Sequence, residues 1–323
     1  MMNKDNIIIW VSSHNNYEML RDEVLSLDFE RFEFVNVDDR STEKQKSLGK
    51  RICNDARIVY LQNENSGVQW ACETLIKWIA ANRPNCKWVI CMQHDWQPLP
   101  NQNFFQRVSN LIETGKLDEF GLIGFNVLDN GKYTKNSLKQ YNNGEKPFGM
   151  MGLAHLGIGS ESKRWLSPHH NPIANRSPDN FNKPFIIEMP MWAGVGICIA
   201  KWNKCVLPDD KYEFHLWLPD VAMSMNMHNY PCLILPNLYA INQQEKKEKY
   251  DIPTKSTSGN EHFFGNYGNH LKRFKQKWGW DYKTARSSFG EIAERYSGTL
   301  LYEYWKHGMK DNTPLKTFDL GKY

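Results

Sequence analysis

FEFVNVDDRST, residues 32–42, is an apolar run that stops at two adjacent carboxylates, Asp38 and Asp39, followed by Arg40, Ser41 and Thr42. A run without polar alternation reads as a strand buried on both faces, the habit of parallel sheets. The same reading applies upstream to IIIWVS (7–12) and downstream to RIVYL (57–61) and KWVICM (87–92). Between the last two, Val68, Ala71, Leu75, Trp78 and Ile79 mark one face of a helix over 68–81. Leu20, Val24 and Leu27 recur at helical spacing over Tyr17–Leu27. This alternation predicts an α/β chain with an open, mostly parallel sheet flanked by helices. In such sheets ligands meet the carboxyl ends of the strands, so the residues just after each strand are the candidates.

Further along, residues 101–114 predict a helix and GLIGFNVL (121–128) a strand. About 55 residues rich in Asn, Gly, Pro, Ser and His follow, a length typical of lids and binding loops. FIIEMPMWAGVGICIAK (185–201) reads as a strand pair around Gly194 and Gly196, LPDVAMSMNMHN (218–229) as a helix and CLILP (232–236) as a strand. From Gln243 the chain turns charged and polar, then aromatic and basic at HLKRFKQKWGWDYKTAR (270–286). The expected organisation is a main domain over 1–245 and a C-terminal helical extension over 246–323.

The 323 residues carry 40 Lys plus Arg against 36 Asp plus Glu, a net charge of +4, which is only mildly basic. With 41% hydrophobic and 24% charged residues the chain is globular, which excludes disordered, collagen-like and coiled-coil classes. Seven cysteines, an odd number in apolar contexts without a CxxC pair, read as reduced core thiols of an intracellular protein rather than disulfides or a zinc site. The apolar run near the N-terminus is too short for a signal peptide, and no run of about 18 apolar residues occurs. A cytoplasmic protein without a transmembrane segment is expected.

Four carboxylates, at three places in the chain, carry candidate chemistry. Asp38 and Asp39 can accept hydrogen bonds from a base amide and from ribose hydroxyls; equally, they can open a turn and cap the helix that Glu43 starts. Asp95, in MQHDWQPLP after the fourth strand, suits Mg²⁺ or Mn²⁺, which take one or two protein carboxylates plus diphosphate oxygens; it can also merely cap a turn. Asp220, after Trp217 and Pro219, is either a helix cap or a partly desolvated carboxylate suited to general-base work. The turn Trp192–Gly196 offers an apolar plane and glycines that let backbone approach a ligand, or is a plain hairpin turn. His155, His169 and His170 in the long loop can meet phosphate or metal, although surface histidines usually do neither.

Taken in order, VNVDDRST, LQNENSGVQWACETLI, VICMQHDWQPLP, MWAGVGICIAKWN and LPDVAMSMNMHNYPCLILPNLYAIN resemble the GT-A nucleotide-sugar glycosyltransferases over roughly residues 7 to 245. The resemblance implies that Asp38 and Asp39 hold the nucleoside of the donor. The turn opening the third helix is matched by Asn63, Asn65, Ser66 and Gly67, and the DxD metal motif falls on Gln93, His94 and Asp95. Gln93 replaces the first Asp of that motif, so the metal position rests on Asp95, with His94 beside the donor. Trp192 and Gly194 match the acceptor-side loop, and Asp220 matches the general base of inverting members, with Glu213 as a backup. A histidine that ligates metal in some relatives is replaced by Asn242.

The function implied is transfer of a sugar from a nucleoside-diphosphate donor, a UDP-sugar first, to a hydroxyl acceptor with Mn²⁺ or Mg²⁺ as cofactor. The acceptor is a surface glycan or a hydroxymethylated base of phage DNA. The DNA alternative leans on Lys272, Arg273, Lys275, Lys277, Lys283 and Arg286, interleaved with Phe274, Trp278, Trp280 and Tyr282, which can grip a polyanion or pack as an amphipathic helix. A rival class is a non-catalytic nucleotide-sugar or nucleic-acid binding module with a degenerate metal motif. A nucleotidyltransferase is disfavoured because SSHNNYE after the first strand lacks glycine.

Overall fold

The apolar runs of the N-terminal third become neighbouring strands. The computed structural model describes residues 6–25, 32–65, 67–94, 96–99, 102–129, 136–147, 149, 151–153, 182–187, 189–191, 194–205, 212, 216–242, 267–278, 297–301 and 318–321. The chain divides into two compact units. One comprises Met1–Gln97, Pro208–Asp220 and Gln243–Tyr282; the other comprises Pro98–Leu207, Val221–Asn242 and Lys283–Tyr323.

In the first unit β1 (Ile7–Ser13), β2 (Glu33–Asp38), β3 (Val59–Gln62) and β4 (Trp88–Met92) lie in the order β3-β2-β1-β4, all parallel. Ile7, Ile9, Trp10 and Val11 are fully buried, which explains why β1 shows no polar alternation. Ser13 of β1 lies level with Asp38 of β2, and Asp38 level with Gln62 of β3. The ladder runs one residue further, with Asp39 N–H donating to Ser13 O at 2.7 Å and Asn63 N–H to Asp38 O at 2.8 Å. Three strand ends therefore deliver their loops to one edge.

Helices fill the connections. A short α1 (Tyr17–Met19) continues as a wider π-type turn, Leu20–Val24, and α2 spans Glu43–Asp55. In α3 (Val68–Asn82) the buried stripe is Ala71, Cys72, Leu75, Ile76 and Ile79. Trp78, read from spacing as core, is only half-buried because the stripe turns toward Cys72 and Ile76. Gly49 in α2 leaves room for the Tyr17 ring: a Cβ there would lie 2.4 Å from two ring carbons. Later come β5 (Trp96–Pro98), α4 (Phe104–Glu113), β6 (Leu122–Leu128), α5 (Ser137–Asn142) and β7 (Gly152–Leu153).

The strands of the second unit pair in both directions. After β8 (Phe185–Ile187), β9 (Met189–Pro190), β10 (Val195–Cys198), α6 (Ile199–Trp202) and α7 (Trp217–Met227), whose residues up to Asp220 are counted with the first unit, comes β11 (Cys232–Asn242). β6 pairs in parallel with β11 and antiparallel with β10, and β8 pairs antiparallel with β11. β11 runs well past Pro236, where a strand was expected to stop. Its register with β6 breaks between Leu235 and Tyr239, a bulge that accommodates the proline, and Asn126 Nδ2 donates to Pro236 O at 3.1 Å. The stretch read as one long loop contains α5, tied down where Asp129 N–H donates to Ser137 Oγ at 3.1 Å.

The α/β expectation holds: the strands of the first unit run parallel, and those of the second run in both directions. From the C-terminal segment, α8 (Tyr267–Trp278) belongs to the first unit. All seven cysteine thiols are buried. Among the described residues no helix is long and apolar enough to cross a membrane.

Candidate functional site

The edge formed by β1, β2 and β3 is wired by polar side chains that the buried strand ends cannot leave unsatisfied. Asp38 is the terminus of a directed hydrogen-bond chain. Tyr17 Oη donates to Asp38 Oδ2 at 2.6 Å, Asn36 Nδ2 donates to Tyr17 Oη at 3.2 Å, and Ser41 N–H donates to Asp38 Oδ1 at 3.0 Å. Ser13 Oγ donates to Asn36 Oδ1, and His94 Nε2 lies 3.1 Å from Ser13 Oγ. A hydroxyl has one hydrogen. Since Ser13 gives its hydrogen to Asn36, His94 Nε2 carries a proton and donates. Burial, reinforced by the Asp38 charge, holds the Tyr17 phenol well above its ordinary range, so it stays protonated as a donor. Both Asp38 oxygens are thus engaged inside the chain, at 1% exposure.

Asp39 is held differently. Gly67 N–H donates to its Oδ1 at 2.7 Å and Asn63 Nδ2 to the same oxygen at 3.1 Å. Gly67 adopts φ +125°, a conformation that side-chain-bearing residues rarely take, and this aims its N–H at the carboxylate. Asn63 is itself oriented, donating to Gly67 O at 3.2 Å and accepting from Thr74 Oγ1 at 3.2 Å. No hydrogen bond to Asp39 Oδ2 occurs among the described residues. Burial pushes the Asp39 carboxyl above its ordinary value, while the hydrogen bonds from Gly67 and Asn63 pull it back only in part. An ionised carboxylate kept dry with only neutral hydrogen-bond donors is costly, and such groups concentrate at functional sites.

Asp220, read as the general base, sits in the first turn of α7, where the helix dipole favours a carboxylate. It is completely buried. Lys277 Nζ lies 2.8 Å from its carboxylate and Trp278 Nε1 donates to its Oδ1 at 2.7 Å. Both partners belong to the last turn of α8. That helix has Phe274 fully buried, with its ring 6.5 Å from that of Tyr212, while Lys272 and Lys275 are exposed. The described part of the basic aromatic segment, 270–278, thus packs by one face, as an amphipathic helix does; Trp280, Tyr282, Lys283 and Arg286 lie outside the described residues.

The remaining sequence candidates stand as follows. Asn65 is exposed; its neighbour Asn63 is the amide that reaches Asp39. His94 is 4% exposed and faces Ser13. Gly194 precedes β10 with φ +85°. Asn242 ends β11 with a buried Oδ1 that has no partner among the described residues. Asp95, Ser66, Trp192, Glu213 and the loop histidines His155, His169 and His170 lie outside the described residues. Missed in the sequence were His14 and Asn15 just after β1, Tyr17 at the start of α1 and Asn36 within β2; the signal was polar side chains in and just after otherwise apolar strands.

A divalent cation finds few donors here. Among the described residues no three His, Cys, Asp or Glu side chains could share an ion. Gln93 is a neutral amide, and His94, which gives its Nε2 proton to Ser13, could offer a cation only Nδ1. The carboxylate that the sequence offers to a cation, Asp95, lies outside the described residues.

No protein-family model and no curated protein matches the chain. Among solved structures it is similar to GalNAc-T7 with UDP, GalNAc and Mn²⁺, at 11% identity and TM-score 0.52, over 90% of this chain and 58% of that one. It is similar to S. aureus TarS at 13% identity and TM-score 0.47, over 95% of this chain and 54% of that one. It is also similar to the mannosyltransferase PcManGT from Pyrobaculum calidifontis in complex with GDP-Man and Mn²⁺, at 11% identity and TM-score 0.46, over 92% and 77%. The chain therefore spans 58% of GalNAc-T7 and 54% of TarS. At such identities the likeness is one of fold: the chain has the GT-A fold.

Proposed function

We propose that this chain, built on the GT-A fold, is a glycosyltransferase that moves one sugar from a nucleoside-diphosphate sugar to a hydroxyl acceptor. The observation that carries the reading is Asp39. It is a buried carboxylate at the carboxyl end of a parallel strand, held through one oxygen by Gly67 and Asn63. In this reading Oδ2 accepts from the imide or amide N–H of the donor's base, a bond that a dry site strengthens. Asp38 does not touch the nucleoside; it anchors Ser41 and Tyr17 beneath the site. The GalNAc-T7 structure holds UDP and Mn²⁺, which supports a UDP-sugar donor and a divalent cation, Mn²⁺ or Mg²⁺. Asp95 would meet that cation, which when bound offsets negative charge on the diphosphate.

Residues 1–245 carry the transfer chemistry in this reading, with Trp192 and Gly194 on the acceptor side. Asp220 takes the acceptor proton: the acceptor oxygen bonds to the anomeric carbon as the bond from that carbon to the diphosphate breaks, leaving its electron pair on the diphosphate. The configuration inverts. Because Lys277 and Trp278 occupy Asp220, the base acts only once the end of α8 has moved off it.

The test is a panel of nucleotide sugars with Mn²⁺ or Mg²⁺, scored by thermal stabilisation, donor hydrolysis and transfer. Acceptors are surface-type oligosaccharides and duplex DNA bearing a hydroxymethylated base. One donor should raise the melting temperature, since it binds only the native state. Asp220→Asn should cut transfer by about 100- to 10,000-fold and leave donor affinity unchanged. Binding without hydrolysis or transfer would replace the enzyme by a nucleotide-sugar binding module.

A further inference from the structure

The loop after β1 is bonded to the loop after β2 by a set of hydrogen bonds whose directions can be worked out in full. Thr42 N–H donates to Asn15 Oδ1 at 2.7 Å. A backbone N–H cannot accept, so the oxygen of the Asn15 amide must face Thr42, and its nitrogen faces the other way. That nitrogen, Nδ2, lies 3.1 Å from His14 Nε2. An amide nitrogen only donates, so His14 Nε2 must be bare. The ring proton then sits on Nδ1, which lies 2.7 Å from the main-chain oxygen of Asp39, a group that only accepts. Every partner is used with the right polarity. Two further bonds close the lock, Asn15 N–H to Ser41 Oγ at 2.9 Å and His14 N–H to Asn16 Oδ1 at 3.1 Å. Asn15 holds φ +51°, a left-handed conformation that asparagine tolerates better than most residues.

We propose that His14 and Asn15 are positioning residues of the nucleoside site, locking the main chain of Asp39 in place with His14 held as the neutral Nδ1–H tautomer. The effect on nucleotide binding rests on the proposed function; the tautomer does not. The lock acts on Asp39 from the opposite side to Gly67 and Asn63, which hold its side chain. With Ser41 tied to both Asn15 and Asp38, the lock also fixes the start of α2. Asn15 is the key because its amide is asymmetric: no flip satisfies both Thr42 and a protonated Nε2.

Asn15→Asp tests this in the full chain. A carboxylate keeps the acceptor for Thr42 but puts a second acceptor where Nδ2 stood, so His14 Nε2 must acquire a proton. Long-range ¹H–¹⁵N spectra of the histidine rings should show a Nδ1–H tautomer for His14 in the parent protein near neutral pH. In Asn15→Asp, Nε2 should be protonated. UDP and GDP are the nucleotide probes, titrated by calorimetry. The nucleotide that binds the parent should bind Asn15→Asp about tenfold more weakly, the loss of one ordinary hydrogen bond.

His14→Asn and His14→Ala form a second pair should Asn15→Asp fold poorly. Asparagine places an N–H near the former Nδ1 and should restore affinity lost in the alanine variant. An Nε2–H tautomer in the parent, or equal nucleotide affinity in Asn15→Asp and in His14→Ala, overturns the inference and leaves the proposed function standing. Failure of the parent to bind either nucleotide overturns both.

Discussion

The end of β2 and the start of α7 each present a buried carboxylate held by hydrogen bonds, and they are built in different ways. At β2 the donors to Asp39 are an amide and a main-chain N–H, both neutral, supplied by the loop after the adjacent strand. At α7 the donors to Asp220 are an ammonium and an indole, both from a helix more than 50 residues further along the chain. Neutral donors leave the Asp39 charge without a matching cation, and its carboxyl is held above the ordinary range by burial. The ammonium at Asp220 compensates its charge. The first region is set to receive a hydrogen-bond donor from outside, and stability is forgone to keep it so. The second is internally satisfied, so any chemistry there needs its partners to leave.

The comparison breaks most visibly at Lys277. Lys277→Met strands a fully buried carboxylate and should cost about 3 kcal/mol of stability in chemical denaturation, with nucleotide affinity unchanged. A change in affinity would mean that the two regions are not separate. Gly49→Ala probes the foundation of the nucleoside edge. The new methyl presses on the Tyr17 ring and should destabilise by about 1 to 3 kcal/mol, outweighing the roughly 1 kcal/mol helix preference of alanine. It should also weaken nucleotide binding, because Tyr17 holds Asp38 and so Ser41.

The smallest effect sharpens the contrast most. Asp39→Asn keeps an oxygen for Gly67 and Asn63 and removes the buried charge, so it should melt at a higher temperature than the parent at neutral pH. The sign follows from linkage. A carboxyl whose folded pKa lies above its unfolded value favours the native state only when protonated. The cost of its ionised form is absent below the ordinary value near 3.8 and appears as pH rises through the folded pKa. The advantage of Asp39→Asn should therefore shrink as the pH is lowered toward that range. The equivalent change at Asp220 should destabilise instead.

Strands were legible because a run such as IIIWVS buried on both faces needs no tertiary knowledge to read, and its end marks the sheet edge. β11 was legible only as far as Pro236, because the bulge that accommodates the proline depends on its partner strand. α5 was hidden by the surrounding Asn and Gly, and its anchor is a bond from Asp129 to Ser137. Within the site, Asp38 and Asp39 look alike in sequence. What separates them is Tyr17, 21 residues earlier, which claims one and not the other. The partners of Asp220 were equally out of reach: Lys277 and Trp278 read as a basic aromatic face, and nothing local links them to a helix start 57 residues away.

The most direct test of the account is calorimetric titration of UDP and GDP into the parent protein and Asp39→Asn. The account predicts that one nucleotide binds the parent and that Asp39→Asn, though at least as stable, binds it about tenfold more weakly or worse. Equal affinity in the two proteins, or no binding of either nucleotide to the parent, would contradict it.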